Sequence, residues 1–277
     1  MTGNPDSLSR FEKAVFYLDR RVSEAVRRFE LITNQDRIMV GLSGGKDSLV
    51  LLHVLARRRA WRREKYQLIA CHVQAGAATE ASPALLGRME AMCSNLGVPL
   101  LTVRGEPLPP PEDLRRSLSP CFLCARRRRK RLLEAAQEQG FTKVALGHHK
   151  DDVAETVLLN LLWQGRCDTM LPRQPLIDGR FLLIRPLVLV DEKDIARAAR
   201  LSGFTPTSCS CPYARGSARE TAAEIISLAR HQGCRGVTSN LLRATEQYGD
   251  VQPSRRKTAE GDQPSAPPSS SSRQTGR

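Results

Sequence analysis

No run of 18 consecutive apolar residues occurs anywhere in the 277 positions, which excludes a helix able to cross a bilayer. Residues 1–10 are polar and lack an apolar core segment, so no secretory signal is expected and the cytoplasm is the expected compartment. Acid is scarce: Asp and Glu number 29 against 43 Lys and Arg, a formal net charge of +14. The last 27 residues hold five of the basic side chains and two of the acidic ones, so most of the excess belongs to the first 250. A field of that sign attracts polyphosphates and nucleic acid; an arginine-rich soluble protein would also carry it. Internal repeats are absent. Eight cysteines without an export signal point to metal or catalysis, because the cytosol keeps thiols reduced.

Apolar spacing supplies the architecture. Phe11, Val15, Leu18, Val22, Val26 and Phe29 recur every three or four residues, predicting one amphipathic helix over 8–31. Strands are predicted at 37–41, 67–73, 99–103 and 143–147, with extended chain at 180–186. Helices are predicted at 49–59, 85–96, 121–139, 152–163 and 192–201. This alternation indicates an α/β fold with a doubly wound, mostly parallel sheet, whose ligands bind at the carboxyl ends of the strands. The expected division is an N-terminal helical segment over 1–34, the α/β domain over 35–250 and a tail over 251–277. Pro, Ser, Gln and Arg dominate that tail, which lacks the apolar surface to fold and is expected to be disordered.

The sharpest local signal is Ser43-Gly44-Gly45-Lys46-Asp47-Ser48, between a buried strand and a helix. Adjacent glycines let backbone N–H groups turn inward around an anion, and the helix N-terminus adds donors and partial positive charge. Lys46 brings a mobile charge, and Ser43 and Ser48 bring hydroxyls. The loop is not a Walker A motif. It is one residue too short between Gly41 and Gly45, and Asp47 stands where Ser or Thr should follow the lysine. An acid there suits magnesium held over pyrophosphate, hence cleavage between the α and β phosphates. An ordinary strand-to-helix turn is the bland alternative.

Two further motifs carry chemistry. Cys121 and Cys124 open a helix one turn apart, ahead of the basic run Arg126 to Arg131, with Arg128 on their face. A helix N-terminus favours anionic ligands there. A redox dithiol, half a zinc site and two ligands of an iron–sulfur cluster all fit, with Cys209 and Cys211 able to complete a site. Spacing alone slightly favours zinc. Cys71 falls in a buried strand and reads as a small hydrophobe. The second motif, Gly147-His148-His149-Lys150-Asp151-Asp152, follows a strand and opens a helix. An N-cap accounts for one of its acids, Asp152 with Glu155 making a capping box, and leaves the other unexplained.

The phosphate loop resembles the signature of the PP-loop ATP pyrophosphatases, which activate a carbonyl oxygen by adenylating it. Loop, CxxC before a basic helix, Gly147 to Asp152, Ile184-Arg185-Pro186-Leu187 and a late cysteine, in that order, resemble the TtcA family of tRNA-cytidine 2-sulfurtransferases over residues 8–230. The resemblance implies a PP-loop nucleotide-binding sheet. It implies ATP with Mg2+ at Ser43, Gly44, Gly45, Lys46, Asp47, Ser48, Val73 and Gly147. It implies a [4Fe-4S] cluster on Cys121, Cys124 and Cys211, whose fourth iron carries sulfur. Cys211 is preferred over Cys209 because Cys-Pro-Tyr is how that segment often reads in related thiolases. The implied reaction is adenylation of the 2-carbonyl of a cytidine (cytidine 32 of the anticodon loop) and replacement of its oxygen by sulfur. Lys46, Asp47, Arg128 and Asp152 are the catalytic candidates, and the runs Arg57 to Arg63 and Arg126 to Arg131 would hold tRNA. The implied partners are tRNA, a sulfur donor such as a cysteine desulfurase or free sulfide, and a second copy in a homodimer.

This chain departs from the family in one place: Gln74 follows the second strand, where related thiolases carry an acid. The rivals are thiolation of a uridine, or a PP-loop ligase with another nucleophile and a structural zinc. T-loop uridine thiolases carry an N-terminal zinc-finger region, and here no cysteine precedes Cys71.

Overall fold

A computed structural model describes residues 9–74, 82–107, 120–203 and 218–248. Helix α1 (Arg10–Phe29) begins in a reciprocal cap: Ser9 accepts from the Glu12 N–H at 3.2 Å, and Glu12 accepts from the Ser9 N–H at 3.0 Å. There follow β1 (Arg37–Gly41), α2 (Lys46–Trp61), β2 (Gln67–Gln74), α3 (Pro83–Asn95), β3 (Leu100–Arg104) and α4 (Pro120–Glu138). Then come β4 (Lys143–Ala145), α5 (Lys150–Gln164), β5 (Arg173–Leu176), β6 (Phe181–Ile184), α6 (Glu192–Leu201), α7 (Ala218–His231) and α8 (Val237–Tyr248). The α/β architecture is the expected one.

The sheet order is β3-β2-β1-β4-β6-β5, parallel except for the antiparallel edge strand β5. Strand order reverses between β1 and β4, so a crevice opens above their carboxyl ends. Both faces are covered, and successive side chains serve opposite cores. Ile38 and Val40 of β1 enter the core with α1, α2, α3 and α6, whereas Met39 enters the one built on Leu132, Ala135 and Ala136 of α4. Cys71 is buried in the second core, and burial pushes its thiol up to about 12, so it serves as a small hydrophobe. No helix among the described residues is long and apolar enough to cross a membrane.

Three elements were not anticipated: β5, α7 and α8. β5 reads Arg-Gln-Pro-Leu, which neither alternates nor tolerates a central position; proline is accepted because this is the sheet's edge. Helices α7 and α8 pack on α5, α7 burying only Ala222 and Ile226 among its apolar side chains and α8 none. The cap of α5 differs from the expectation. His149, not Asp152, is the N-cap, and Asp152 takes the third helical position, accepting from the His149 N–H at 2.8 Å. The chain enters the helix two residues earlier than its apolar spacing implied. Cys209, Cys211 and the tail over 251–277 lie outside the described residues.

Candidate functional site

The carboxyl ends of β1 and β4 carry the two motifs. Gly44 turns with φ +84°, a left-handed conformation that suits glycine, and its α-carbon faces Leu85 so closely that a Cβ would stand 2.9 Å from the leucine methyl. Gly45 is the N-cap of α2 and offers no side-chain cap, so the first-turn N–H groups of a 16-residue helix are left to a ligand. The loop is braced from within. Ser48 Oγ accepts from the Ser43 N–H at 3.1 Å and donates to the Gly45 carbonyl at 3.0 Å, and Ser43 Oγ accepts from the Gly45 N–H at 3.3 Å. The structure therefore gives these two serines a bracing role.

Lys46 extends to Glu192 of α6 at 2.9 Å and lies 3.2 Å from Asp47 Oδ1. Burial pulls its ammonium down, but the bond to Glu192 and the charges of Asp47 and Glu192 outweigh that and leave it raised. The lysine donates to Asp47 Oδ2 at 3.4 Å, so the buried Oδ1 has an ionic neighbour but no hydrogen bond. A hard carboxylate oxygen left in this way, beside uncapped helix donors, fits magnesium and polyphosphate. His149 Nε2 stands 3.7 Å from Asp47 Oδ1 and 3.5 Å from Asp152 Oδ2, tying the second motif to the first. Gly147 makes the same join through the backbone: a Cβ there would lie 2.9 Å from both Asp47 C and Ser48 N.

The acids of the second motif are held by residues that sequence reasoning missed. Arg219 of α7 binds Asp152, and also Glu155 at 2.9 Å. Arg230 binds Asp151, whose other oxygen accepts from the Glu192 N–H at 2.8 Å. Burial raises the Asp151 carboxyl, and those two partners more than reverse it, leaving it below the usual range. His148 is half-buried, its buried Nδ1 has no partner among the described residues, and burial with the Arg185 charge pushes it down to about 4.

Val73 lies half-buried at the end of β2, level with Val103 of β3. Beside it His72 is buried, with Nδ1 2.7 Å from the Leu42 carbonyl, the residue before the phosphate loop. His72 is lowered chiefly by burial; the bond to Leu42 opposes this and the charge of Arg128 adds to it, which brings Arg128 from α4 into the neighbourhood of the loop. Cys121 and Cys124, both half-buried, occupy the first turn of the same helix. Two soft thiols one turn apart at a helix N-terminus suit iron or zinc. Among the described residues no group of three His, Cys, Asp or Glu could hold a metal, and further thiols would come from the segment with Cys209 and Cys211.

The first arginine run is partly taken up inside the protein, and the second is paired only in part. Arg58 is buried and binds fully buried Asp19 at 3.1 Å; Arg62 Nε binds the same carboxylate at 2.8 Å, and Arg57 binds Glu12 at 2.8 Å. That run clamps α1 to α2, so Arg58 is not available to tRNA. In α4, Arg131 binds Glu138 at 2.9 Å and Arg127 pairs with Glu106 at 3.7 Å, while Arg126, Arg128 and Arg129 have no ion pair among the described residues.

Residues 17–207 match the family model of the PP-loop domain. A tRNA-cytidine(32) 2-sulfurtransferase from Anaeromyxobacter dehalogenans is 37% identical over 243 residues, 85% of this chain and 79% of that protein. Its counterpart from Geobacter metallireducens is 37% identical over 205 residues, 73% of this chain and 77% of that protein. The solved U34-tRNA thiolase NcsA from Methanococcus maripaludis, with its [4Fe-4S] cluster, superposes with a TM-score of 0.71 at 24% identity. That match covers 91% of this chain and 84% of NcsA, and it concerns the fold. The glycine loop, the motif after β4 and these relatives agree, and the chain belongs to the PP-loop family and, within it, to the tRNA-cytidine(32) 2-sulfurtransferases.

Proposed function

We propose that this protein uses ATP to thiolate a cytidine of tRNA at its 2-position, cytidine 32 of the anticodon loop by likeness to its relatives. The observation that carries the reading is the close seat of Gly147 against the Asp47–Ser48 peptide, which joins the phosphate loop and the second motif into one crevice. ATP lies with its phosphates over the N-terminus of α2 and its adenosine toward Val73. Lys46 exchanges Glu192 for phosphate oxygens, and Asp47 would hold the magnesium, which would neutralise phosphate charge. The cytidine 2-oxygen attacks the α-phosphorus and pyrophosphate leaves; Lys46 and Arg128 offset the charge that develops. Asp152, held by Arg219 and His149, fixes the far wall of the crevice. Sulfide then supplies the electron pair of a new bond to C2, the C2–O bond breaks, and AMP departs with the former carbonyl oxygen.

Cys121, Cys124 and Cys211 would hold a [4Fe-4S] cluster, which supplies an open iron for the incoming sulfur. The sulfur comes from free sulfide, or from the persulfide of a cysteine desulfurase after a thiol reductant supplies two electrons and releases it as sulfide, and the protein works as a homodimer.

The test is anaerobic incubation of protein, Mg-ATP, sulfide and an unmodified tRNA transcript, followed by nucleoside mass spectrometry. 2-Thiocytidine and AMP are expected together. Lys46→Ala and Asp47→Ala should abolish both while retaining the wild-type iron content, because both side chains serve phosphates. A thiolated uridine in place of cytidine would overturn the base assignment, and turnover by the Asp47 variant would remove that residue from the mechanism.

A further inference from the structure

Of the basic residues that the sequence assigned to RNA, Arg57, Arg58 and Arg62 are held by acids of α1, Arg126, Arg128 and Arg129 have no ion pair among the described residues, and a further basic set stands on α1. On α1, Arg10, Lys13, Arg20, Arg21 and Arg27 share one stripe with Tyr17, at the helical spacing of three and four residues. Together with Arg197 and Asp194 of α6 they line a groove of about 950 Å3. Arg21 pairs with Glu24 at 3.1 Å, whereas Arg10, Lys13, Arg20, Arg27 and Arg197 form no ion pair among the described residues. The opposite face of α1 is committed to the core through Val15, Leu18, Val22 and Val26 and to α2 through Asp19. The charged stripe therefore has no internal work to do.

We propose that this groove is a docking surface for the sugar–phosphate backbone of tRNA. The inference rests on the thiolation reading and adds to it the surface that holds the substrate. From Arg10 to Arg27 the helix runs about 26 Å, long enough to follow several successive phosphates of one strand. Tyr17 is 64% exposed within the stripe and offers a flat ring on which a base can stack. The groove also leads to the chemistry. Glu192, which opens α6, binds Lys46 at 2.9 Å, and Arg197 stands little more than one turn further along the same helix. At the start of α1, Phe11 closes a small pocket with Lys46, Leu49 and His53. The groove and the phosphate loop thus share α6 and the start of α1 as neighbouring walls. A second copy of this chain is the poorer occupant, because a two-fold contact here would set like charges against each other.

The experiment measures the affinity of an unmodified tRNA transcript by fluorescence anisotropy across a KCl series. It compares wild type with the triple variant Lys13→Gln, Arg20→Gln, Arg27→Gln and with the double variant Arg20→Lys, Arg27→Lys. ATP affinity and sedimentation are read in parallel. The triple variant should bind tRNA roughly tenfold or more weakly at moderate salt, with the slope of log affinity against log salt reduced by about two to three. Its ATP affinity should not change, which also reports that the crevice is folded. The lysine variant should retain the wild-type salt slope, because it keeps the charges. Wild-type tRNA affinity and slope in the triple variant would overturn the proposal. So would a change from dimer to monomer with tRNA affinity intact, which would give the groove to a second copy. A wild-type protein that binds ATP but no tRNA would instead bring down the thiolation reading and this surface with it.

Discussion

Gly147 and Asp47 are 100 positions apart in the chain, yet a single added methyl at Gly147 would stand 2.9 Å from the Asp47 carbonyl carbon and 3.1 Å from its oxygen. Gly147 lies just past the end of β4 and Asp47 in the first turn of α2, which follows the neighbouring parallel strand β1; Val40 of β1 is level with Ala145 of β4. The missing side chain lets the two strand ends close together, so that uncapped helix donors, the Asp47 carboxylate and the His149 ring all face one crevice.

Gly147→Ala should therefore act on ATP more than on the fold. The added methyl meets backbone atoms, which cannot rotate away, and overpacking of this kind costs about 1–3 kcal/mol. Displacement of the phosphate loop relieves it, so ATP affinity should fall by roughly tenfold or more. Gly87→Ala on α3 is the control, since a Cβ there meets nothing within 4 Å. Calorimetric titration with a non-hydrolysable ATP analogue decides it; equal affinity in the two variants would mean that the contact at Gly147 does not set the loop.

Much of this site was legible in the sequence because it is local. Gly44 to Ser48 and Gly147 to Asp152 each form one strand-to-helix turn, and their chemistry follows from adjacent letters. The residues that hold those motifs in place were not legible. Arg219 reaches Asp152 across 67 positions and Arg230 reaches Asp151 across 79. Glu192 finds Lys46 only after β6 has been laid beside β4. The same cause misdirected the arginine reading. A run such as Arg57 to Arg63 shows its charge but not its partners, and Asp19, which takes two of those arginines, is an acid on the inward side of a helix whose stripe was read only for apolar residues. The stripe on α1 is discontinuous in sequence and becomes a surface only when the helix forms.

His53 gives a pH signature. It packs edge-on against Phe11 with centroids 4.9 Å apart, and burial, with the Arg57 charge, pushes its imidazole from 6.5 down to about 4. The unfolded chain takes up a proton below pH 6.5 while the native state stays neutral until about pH 4, so stability is lost as pH falls through that window. His148, also pushed down to about 4, adds a second proton to the same window. His72, also lowered by burial, acts in the same direction, and His53→Leu should remove one of these protons and lower the limiting slope by about 1.4 kcal/mol per pH unit. Urea denaturation between pH 4 and 7 measures it. A slope equal to wild type would show that His53 titrates normally in the native protein.

The cysteines separate the sulfurtransferase from a ligase with a structural zinc. Cys121 and Cys124 share the first turn of α4 and are half-buried, while Cys93 is buried with its thiol pushed up to about 11, a poor ligand by comparison. Anaerobically purified protein should be brown, with the broad visible absorbance of thiolate-ligated iron and about four irons per chain. Cys121→Ala, Cys124→Ala and Cys211→Ala should each bleach it and stop thiolation, because each removes one of only three anchors. Cys209→Ala should do neither, since three ligands leave it spare and the fourth iron must stay open to sulfur. ATP binding should survive in all four variants, because the phosphate loop stands between β1 and α2, whereas Cys121 and Cys124 stand on α4 and Cys209 and Cys211 belong to neither motif of the loop. A colourless protein with one zinc, lost on substitution of any of the four cysteines, would make the site structural. The nucleophile that displaces AMP would then have to come from another source.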